Sequence, residues 1–476
     1  MGSALRARQP INDREKLLSC PEKFLLGPAS AKKLFPSVKV VGQPLIKLQL
    51  VHEKHLGKAS KWFPYINSLP GPDDLTVPFY FDEKDLIWLK GTGIYGEIES
   101  TQRQWRQEWL AALQQVAADE SRYPFEEYQW ACIIYTSRSF PAKIIYPDTA
   151  EGLSMLVPII DSVNHKPQTP VHWEGTVDGA FDLRSAFNIA KGEEIFNNYG
   201  AKGNEELMFG YGFALEDNKF DIVSLKLNLG QKVKEILEER GMTNVPADSV
   251  FHISSEFPLP MNLQKVFSVI VGGTRQKENI ADICGLRALQ KSLSNKWFSL
   301  TSNIPDGEPS NLKQQFAKFY RDGQIRILER ALEAADRQLQ VYEFNEKYHR
   351  ISIDYIASAD SNFLEGLVMA FGGHTKEDLI AQDLEDQIIV LYLIWAGVIE
   401  GPAETDQSHI LEQATDLYDE IIVPLRRFDD RYSGERFEVP TLIASIKVLE
   451  ENGFEYMDSQ HHARYEVLLE VRELEK

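Results

Sequence analysis

Apolar and polar positions occur in short blocks in the first half of the chain, and these blocks predict a small β-rich region. Residues 157–160 are apolar, and the run ends in a polar cluster made of Asp161, Asn164 and His165. Such a pattern is typical of a buried strand that leads into a functional loop. A second polar cluster follows a Lys191-Gly192 turn and a short predicted strand that ends at Tyr199 and Gly200. Two polar clusters at strand ends indicate a ligand site.

Further periodic stretches complete the predicted fold. Residues 15–20 predict a strand that Pro21 ends, and residues 172–183 predict a hairpin between the two polar clusters. Residues 45–130 have helical character. From residue 221 onward helices dominate, separated by Gly and Pro breakers. The predicted helices there cover residues 231–240, 281–298, 311–344, 376–398, 408–427 and 440–452.

Composition narrows the class of protein. The 476 residues suffice for two or three domains, and 43% hydrophobic with 11% aromatic residues predicts large packed cores. The apolar run at 388–399 is too short to span a bilayer, and no signal-peptide pattern opens the chain. We therefore expect a cytoplasmic protein, also present in the nucleus, with no membrane partner. Three scattered cysteines, Cys20, Cys132 and Cys284, offer no zinc-ligand spacing, so no metal is expected.

The formal net charge of −20 excludes a general nucleic-acid binder, because phosphate attraction requires positive charge. Residues 371–420 contain twelve Asp or Glu residues and one lysine, Lys376. This stretch is interpreted either as a solvated helix surface or as a docking surface for a basic protein.

Four linked motifs carry a family resemblance. In order they are Asp161-x-x-Asn164-His165, a Gly-Glu-Glu stretch ending at Tyr199-Gly200, Lys202-x-Asn-Glu-Glu-Leu, and Tyr211-Gly-Phe213. Together they resemble the C-terminal half of a SET domain, in the branch that includes the Rubisco large-subunit methyltransferases. The resemblance implies an α+β fold: a SET domain at 1–215 built on small sheets, with a helical insertion at about 45–130, followed by an all-α substrate-binding domain at 216–476.

The same resemblance implies the reaction, which is methyl transfer from S-adenosylmethionine (AdoMet) to a lysine of a non-histone protein. Lysine has an unperturbed pKa of about 10.4, so an apolar channel must favour the neutral amine by desolvation. Tyr199 is the expected catalytic residue, beside the transferring methyl group. The substrate is expected to be a basic protein such as a ribosomal or translation protein, and the enzyme a monomer.

Individual site residues are carried over from the motifs. A Gly2-Ser-Ala-Leu-Arg-Ala7 stretch is similar to the family's Gly-x-Gly-Leu-x-Ala turn, with Ala4 in place of its second glycine. The expected cofactor-binding residues are Ser3, Ala4, Leu5, Glu15, Leu17, Arg138, Asp161, Asn164, His165, Tyr199, Tyr211 and Phe213. The expected lysine channel consists of Phe140, Ile160, Tyr199 and Tyr211.

Two alternatives stay open on the sequence alone. A SET-like protein that has lost catalysis and serves as a protein-interaction module would tolerate Ala4 at the cofactor turn. A histidine acceptor is the second alternative, because actin-histidine methyltransferases are related to this branch. Those enzymes carry Asn where this chain has Phe140. An aromatic residue at this place is typical of the lysine-modifying members, so Phe140 favours lysine.

Overall fold

The computed structural model describes residues 4–272, 277–343, 348–457 and 463–470. The first half of the chain contains short strands and a set of helices between the first strand and the second. In chain order the elements are β1 (Lys16–Cys20), α1 (Pro28–Leu34), α2 (Gln43–Leu56), α3 (Phe63–Ile66), α4 (Glu83–Leu86), α5 (Gly93–Gln115), α6 (Phe125–Arg138), β2 (Ser139–Pro141), β3 (Ser154–Leu156), β4 (Val171–Gly175), β5 (Phe181–Ser185) and α7 (Asn204–Glu206).

Small antiparallel sheets form the β-rich region. One sheet has the strand order β1-β5-β4, and β2 pairs with β3 in a second sheet. Cys20 lies opposite Phe181, and Phe140 lies opposite Met155. Alternate side chains of these strands point into one apolar core, which holds Phe140, Val157, Ile160 and Phe181 among others. The predicted hairpin at 172–183 is thereby confirmed as β4 and β5.

The strand predicted over residues 157–160 is wrong. The strand ends at Leu156, and Ile159 has a backbone φ of 71° before one 3₁₀ turn from Ile160 to Ser162. Pro158 cannot donate a ladder hydrogen bond, which favours the end of the strand here. Val157 and Ile160 are nevertheless buried, so the apolar run reported burial and not strand structure. Residues 194–198 likewise form single β-bridges and no regular strand.

The helices between β1 and β2 enclose a core of their own. Helices α2, α5 and α6 pack around buried aromatic residues, and three indole N–H groups of this region donate to backbone carbonyls. Trp109 donates to the Tyr123 carbonyl at 2.8 Å, and Trp62 donates to the Phe24 carbonyl at 2.7 Å. The first bond joins α5 to the segment before α6, and the second anchors the insertion to the loop that follows β1.

The second half of the chain is mainly helical. Its elements are β6 (Ile222–Lys226), α8 (Gln231–Glu239), β7 (Val250–Ser254), α9 (Met261–Gly272), α10 (Glu278–Thr301), α11 (Leu312–Glu343), β8 (Tyr348–Ile351), α12 (Ile353–Ala359), α13 (Ser361–Ala370), α14 (Lys376–Ala381), α15 (Glu385–Trp395), α16 (Ser408–Leu417), α17 (Val423–Leu425), α18 (Val439–Asn452), β9 (Gly453–Met457) and β10 (Ala463–Glu470). The α+β class is confirmed.

The all-α prediction for this half needs correction. β6 pairs with β7, and a sheet of order β8-β10-β9 packs beside the apolar core of helices α12 to α18. Strands this short are easily missed in a sequence where helical periodicity dominates. The helix predicted at 376–398 is also divided into α14 and α15, with Asp383 at a φ of 58° between them.

The described chain separates into two compact units. One consists of Met1–Ile222 with Trp297–Ile327, and the other of Val223–Lys296 with Leu328–Lys476. The prediction of a single break between residues 215 and 216 did not anticipate that a later helical segment groups with the first unit. None of the helices that the structure describes is long and apolar enough to cross a membrane.

Candidate active site

A cavity of about 800 Å³ lies in the first unit. Its walls come from the end of β1, the helical insertion, the end of α6 and the loop after β3. The described residues that line it are Ser19, Cys20, Pro21, Phe24, Lys61, Trp62, Pro64, Tyr65, Ser68, Leu69, Pro70, Leu75, Ser137, Arg138, Pro158, Ile159, Asp161, Ser162, Asn164, Tyr199, Tyr211 and Phe213. Six residues expected from the motifs therefore meet at one cavity, although they are spread from position 138 to 213.

Tyr199 lies in a stack of rings at this cavity. Its ring packs against His165 with centroids 4.8 Å apart, and against Tyr211 at 5.1 Å. Its hydroxyl donates to the Val163 carbonyl at 2.8 Å. Burial raises the pKa of Tyr199 to about 12, so the phenol stays protonated at neutral pH. The stacking and the hydrogen bond hold the phenol oxygen in one position.

His165 is held as a neutral imidazole. Its Nδ1 accepts the Tyr199 backbone N–H at 3.0 Å, so the ring proton resides on Nε2. Burial lowers the pKa of His165, which keeps the ring uncharged. The Nε2 atom is buried and has no hydrogen-bond partner among the described residues. His165 itself is not among the described residues that line the cavity, and the Asn197 backbone next to its ring acts to raise its pKa against the effect of burial.

The backbone N–H and C=O of His165 are not used in the bridge between this loop and Asn197. Asn197 donates to the Asn164 carbonyl at 2.8 Å and accepts from the Lys166 amide at 3.1 Å, which forms a parallel bridge. In a parallel bridge the intervening residue directs its own N–H and C=O to the other side. The Asn164 side chain donates to Glu194 at 2.8 Å.

The N-terminal segment reaches this part of the site through Glu194. Leu5 accepts the Ile195 amide at 2.8 Å, and Arg6 bridges with Glu194, the acceptor of the Asn164 side chain. Ala4 is exposed beside this bridge, and Ser3 lies outside the described residues. The segment that resembles the glycine-rich turn is therefore one contact away from Asn164.

Glu15 and Leu17 are expected cofactor residues that the structure places away from the cavity. A Glu15 carboxylate oxygen accepts the Asn12 amide at 2.9 Å, and Leu17 packs against the apolar core of the small sheets. Further along the same strand, Ser19 and Cys20 do border the cavity. A cofactor role for Glu15 and Leu17 stays a prediction.

Asp161 forms a buried network with two partners. Its carboxylate accepts the Tyr65 hydroxyl at 2.7 Å, and Arg138 Nη1 lies 3.6 Å from the same oxygen. Burial raises the pKa of Asp161 from 3.8 to about 6, although Arg138 and the Tyr65 hydrogen bond both act to lower it. Burial and the nearby Asp161 charge also raise the pKa of the Cys20 thiol to about 11. Tyr65 comes from the helical insertion predicted at about 45–130.

Tyr211 and Phe213 are aimed by an unusual turn. Residues Leu207–Tyr211 form a single π-helical turn after α7, and Gly212 follows with a φ of 78°. Insertion residue Thr76 donates its hydroxyl to the Gly212 carbonyl at 2.5 Å. Turns of this kind are frequent at functional sites. The Tyr-Gly-Phe motif indicated the turn, but nothing in the sequence pointed to Thr76.

The Lys202-x-Asn motif supports the same loop from behind. The Asn204 side chain donates to the Leu215 carbonyl at 2.8 Å and accepts the Leu215 amide at 2.9 Å. Asn204 also donates its backbone N–H to Asp221. The motif therefore secures the chain that carries Tyr211 and Phe213, a role that the sequence did not reveal.

The expected lysine channel is only partly present on the cavity wall. Tyr199 and Tyr211 line it, whereas Phe140 and Ile160 are buried in the core, with 4% and 1% of their surface exposed. The Phe140 ring packs edge-on against Trp173 with centroids 5.2 Å apart. Pro158 and Ile159 border the cavity at this point. The channel role of Phe140 and Ile160 stays a prediction.

The site residues fit AdoMet. An adenine edge needs a donor and an acceptor, and the parallel bridge with Asn197 leaves the backbone N–H and C=O of His165 directed away from Asn197. The faces of Tyr211 and Phe213 suit a sulfonium cation. Among the described residues there is no group of three or more His, Cys, Asp or Glu that could hold a metal ion.

Comparison with known proteins agrees with this geometry. No protein-family model matched the chain. The chain is 30% identical over 453 residues to the ribosomal lysine N-methyltransferase set10 of Schizosaccharomyces pombe, covering 85% of this chain and 82% of that protein. It is 26% identical over 393 residues to ribosomal lysine N-methyltransferase 1 of Saccharomyces cerevisiae, covering 72% of this chain and 64% of that protein.

Solved structures support the fold. A structure of Rubisco LSMT bound to AdoMet superposes with a TM-score of 0.58 at 17% identity, covering 76% of this chain and 92% of that one. A structure of the LSMT SET domain bound to methyl-lysine and AdoHcy gives 0.60 at 18% identity, with the same coverage. From its site and these relatives, the chain belongs to the SET-domain protein-lysine N-methyltransferases of the Rubisco large-subunit methyltransferase-like branch.

Proposed function

We propose that this AdoMet-dependent protein-lysine N-methyltransferase modifies a ribosomal protein and that Tyr199 is its catalytic residue. The match to set10 supports a ribosomal protein as the methyl acceptor. This match extends over 85% of the chain and so includes the helical second half. The observation that supports Tyr199 is its fixed phenol between His165 and Tyr211 on the cavity wall.

The reaction needs a neutral amine and accurate placement more than it needs an acid or a base on the enzyme. When bound, AdoMet would supply the methyl group through cleavage of its S–CH₃ bond, with S-adenosylhomocysteine as the leaving group. The lysine nitrogen forms the new N–C bond, and its proton passes to water. The largely apolar and aromatic wall disfavours the ammonium form of the lysine by desolvation, which lowers its pKa towards neutrality.

Tyr199 acts in this scheme as a fixed neutral dipole. Its proton is engaged by the Val163 carbonyl, so the lone pairs of the phenol oxygen are free to accept from the amine N–H or from the polarised methyl group. The raised pKa of Tyr199 makes it a poor proton source, in agreement with a positioning and electrostatic contribution.

The test separates cofactor binding from methyl transfer. Titration calorimetry measures AdoMet binding, and labelled AdoMet reports methyl transfer into dissociated ribosomal proteins. Tyr199→Phe is expected to reduce kcat by about 10²-fold, the scale for removing one preorganised polar group, with the AdoMet Kd changed less than about threefold. Tyr95→Phe, an exposed tyrosine on α5, is the matched control and leaves both unchanged.

Other results would contradict the proposal. Full activity in Tyr199→Phe would exclude Tyr199 as the catalytic residue. Methyl groups found by mass spectrometry on histidine would assign the other acceptor. An absence of AdoMet binding would favour a SET-like interaction module.

The remaining features of the proposal concern the cellular setting. We propose that the enzyme is a monomer located in the cytoplasm and also in the nucleus. Ribosomal proteins are present in the cytoplasm and are imported into the nucleus. The acidic chain suits a basic protein substrate and disfavours nucleic acid. Light scattering of the purified protein, and microscopy of a tagged chain, measure these two properties directly.

A further inference from the structure

The cavity wall divides by exposure into a buried floor and an exposed rim. Tyr65, Arg138, Asp161 and Tyr199 are buried or half-buried. We define the rim as three exposed residues of the cavity wall: Phe24, Lys61 and Ile159. A polypeptide that delivers a lysine through this cavity would contact the exposed parts of its wall.

Ile159 is the most unusual member of the rim. Its side chain is 64% exposed, whereas Val157 and Ile160 on either side of the turn are fully buried. Its φ of 71° is a conformation that β-branched residues rarely adopt. The Ile159 carbonyl accepts the Ser162 hydroxyl at 2.5 Å, which holds the turn. The turn therefore presents an apolar side chain to solvent at the edge of the cavity.

Phe24 and Lys61 form another part of the rim. The Phe24 ring is 38% exposed, and its carbonyl accepts the Trp62 indole N–H. Lys61 Nζ lies 4.1 Å from the centroid of the Trp62 ring and donates to the Lys23 carbonyl at 2.7 Å. One ammonium hydrogen is used in this bond, so two more are available.

The rim is positive although the chain is acidic. Among the described lining residues Asp161 is the one carboxylate, and its side chain is 1% exposed and already engaged by Arg138 and Tyr65. In the part of the chain that the structure describes, the contacts of the Lys61 ammonium are the Lys23 carbonyl and the Trp62 ring, and Lys23 lies over the neighbouring Phe24 ring. A substrate segment with a carboxylate at this point would meet an uncompensated positive charge.

We propose that the rim selects the sequence around the target lysine: an apolar side chain that packs on Ile159 and Phe24, and an Asp or Glu that pairs with Lys61. The inference rests on the proposed lysine methyl transfer. An extended chain rises about 3.3 Å per residue, so the selected positions are neighbours of the target lysine along the peptide. A protein that is basic overall can still carry such a local segment.

An arrayed peptide library with a fixed central lysine tests the inference, with tritiated AdoMet as methyl donor. The wild type is expected to methylate peptides with an acidic and an apolar neighbour about fivefold faster than peptides with basic neighbours, the scale of one exposed ion pair. Lys61→Glu is expected to reverse the charge preference. Ile159→Gly relieves the positive φ and removes one of the two apolar contacts, so the apolar preference weakens while the acidic preference stays.

Matched controls separate recognition from general effects. Lys39→Glu introduces the same charge change at an exposed lysine away from the cavity, and Val177→Gly removes an exposed apolar side chain in the β4–β5 turn. Both are expected to keep the wild-type selection. Thermal melting and AdoMet titration establish that all four variants are folded and bind the cofactor.

The outcomes are distinguishable. Methylation of the library without flank selection, or with a preference for basic flanks, overturns the rim inference and leaves lysine methyl transfer standing. The same holds if Lys61→Glu behaves as Lys39→Glu does. A library in which AdoMet-bound wild type methylates no lysine overturns the proposed transfer itself, and the rim inference with it.

Discussion

Asp161 shows how a single buried group couples the SET core to the helical insertion. Removal from water disfavours its charged form, whereas the positive charge of Arg138 and the hydrogen bond from Tyr65 favour it. Burial is the larger influence, so the pKa of Asp161 rises to about 6. Asp161 is therefore mostly protonated at pH 5 and mostly ionised at pH 7. A negative charge on the wall attracts the sulfonium of AdoMet, and a neutral carboxyl does not.

Cofactor affinity is expected to depend on pH through Asp161. AdoMet affinity is expected to rise between about pH 5 and pH 7, by roughly three- to tenfold for a shift of this size, whereas AdoHcy, which lacks the sulfonium charge, responds less. Tyr65→Phe removes a hydrogen bond to the carboxylate, so the pKa of Asp161 rises and the acid limb moves to higher pH. Calorimetry across pH measures both limbs.

Two controls accompany the pH experiment. Tyr95→Phe keeps the wild-type limb, and Asp161→Asn removes the pH dependence at reduced affinity. An unchanged limb in Tyr65→Phe would show that Asp161 is not the titrating group.

Phe140 provides the second prediction at the scale of residues. The ring is buried between Trp173 and Phe181, so Phe140→Leu is expected to lower the free energy of unfolding by about 1–2 kcal/mol. The AdoMet Kd and the KM for the protein acceptor stay within about twofold. Urea unfolding and steady-state kinetics measure the two effects. A large change in KM at unchanged stability would instead assign Phe140 to the lysine channel.

Among the elements, the π-helical turn at Leu207–Tyr211 carries the most functional information. The turn and the left-handed Gly212 re-aim the chain so that Tyr211 and Phe213 both face the cavity. A Cβ added to Gly212 would lie 2.9 Å from the Thr76 hydroxyl and 3.0 Å from the Val77 amide nitrogen. The close approach of the insertion therefore requires glycine in the Tyr-Gly-Phe motif, in addition to the positive φ.

Gly212→Ala is expected to lower the free energy of unfolding by about 1–3 kcal/mol and to weaken AdoMet binding by about tenfold, because the clash displaces both aromatic rings. Gly241→Ala is the matched control. Gly241 has a φ of 69° and no atom within 4 Å of an added Cβ, so only the backbone cost applies. Calorimetry and thermal melting compare the two variants. Equal effects on AdoMet affinity would show that the contact with Thr76 is unimportant.

At the scale of the whole molecule, the main electrostatic feature is the negative charge concentrated in residues 371–420. Nine of the twelve acidic residues in the 371–420 stretch are exposed. Two others serve the fold, since Glu385 pairs with Arg464 at 2.9 Å and Asp378 accepts the amides of His374 and Thr375. The exposed majority can raise the local concentration of a basic protein by long-range attraction, while the rim reads the sequence near the lysine.

This division predicts a salt effect. The kcat/KM for ribosomal proteins is expected to fall by about tenfold between roughly 0.05 and 0.3 M salt, because screening shortens the range of the attraction. Glu412→Gln combined with Asp416→Asn on α16 should reduce the salt dependence. Glu238→Gln combined with Glu239→Gln on α8 removes as much charge outside the stretch and serves as the control. Equal salt slopes for the two double variants would exclude a specific contribution of the acidic stretch.

The sequence alone determined the class of fold and the family, because both depend on local signals. Burial follows from apolar runs, helix ends from breakers, and the motif residues from their order in the chain. The sequence identified six residues that the structure brings to one cavity: Arg138, Asp161, Asn164, Tyr199, Tyr211 and Phe213. The backbone conformation of residues 157–160 was not predicted correctly. An apolar run indicates burial, and a buried chain can be either extended or turned.

Only the tertiary structure decided which groups satisfy one another. Tyr65 lies 96 positions before Asp161, and Thr76 lies 136 positions before Gly212, so no local pattern could pair them. The same applies to Phe140, which is apolar and aromatic whether it lines a channel or fills a core. A buried polar group takes its partner from whatever segment packs against it, and that choice is made by the folded chain as a whole.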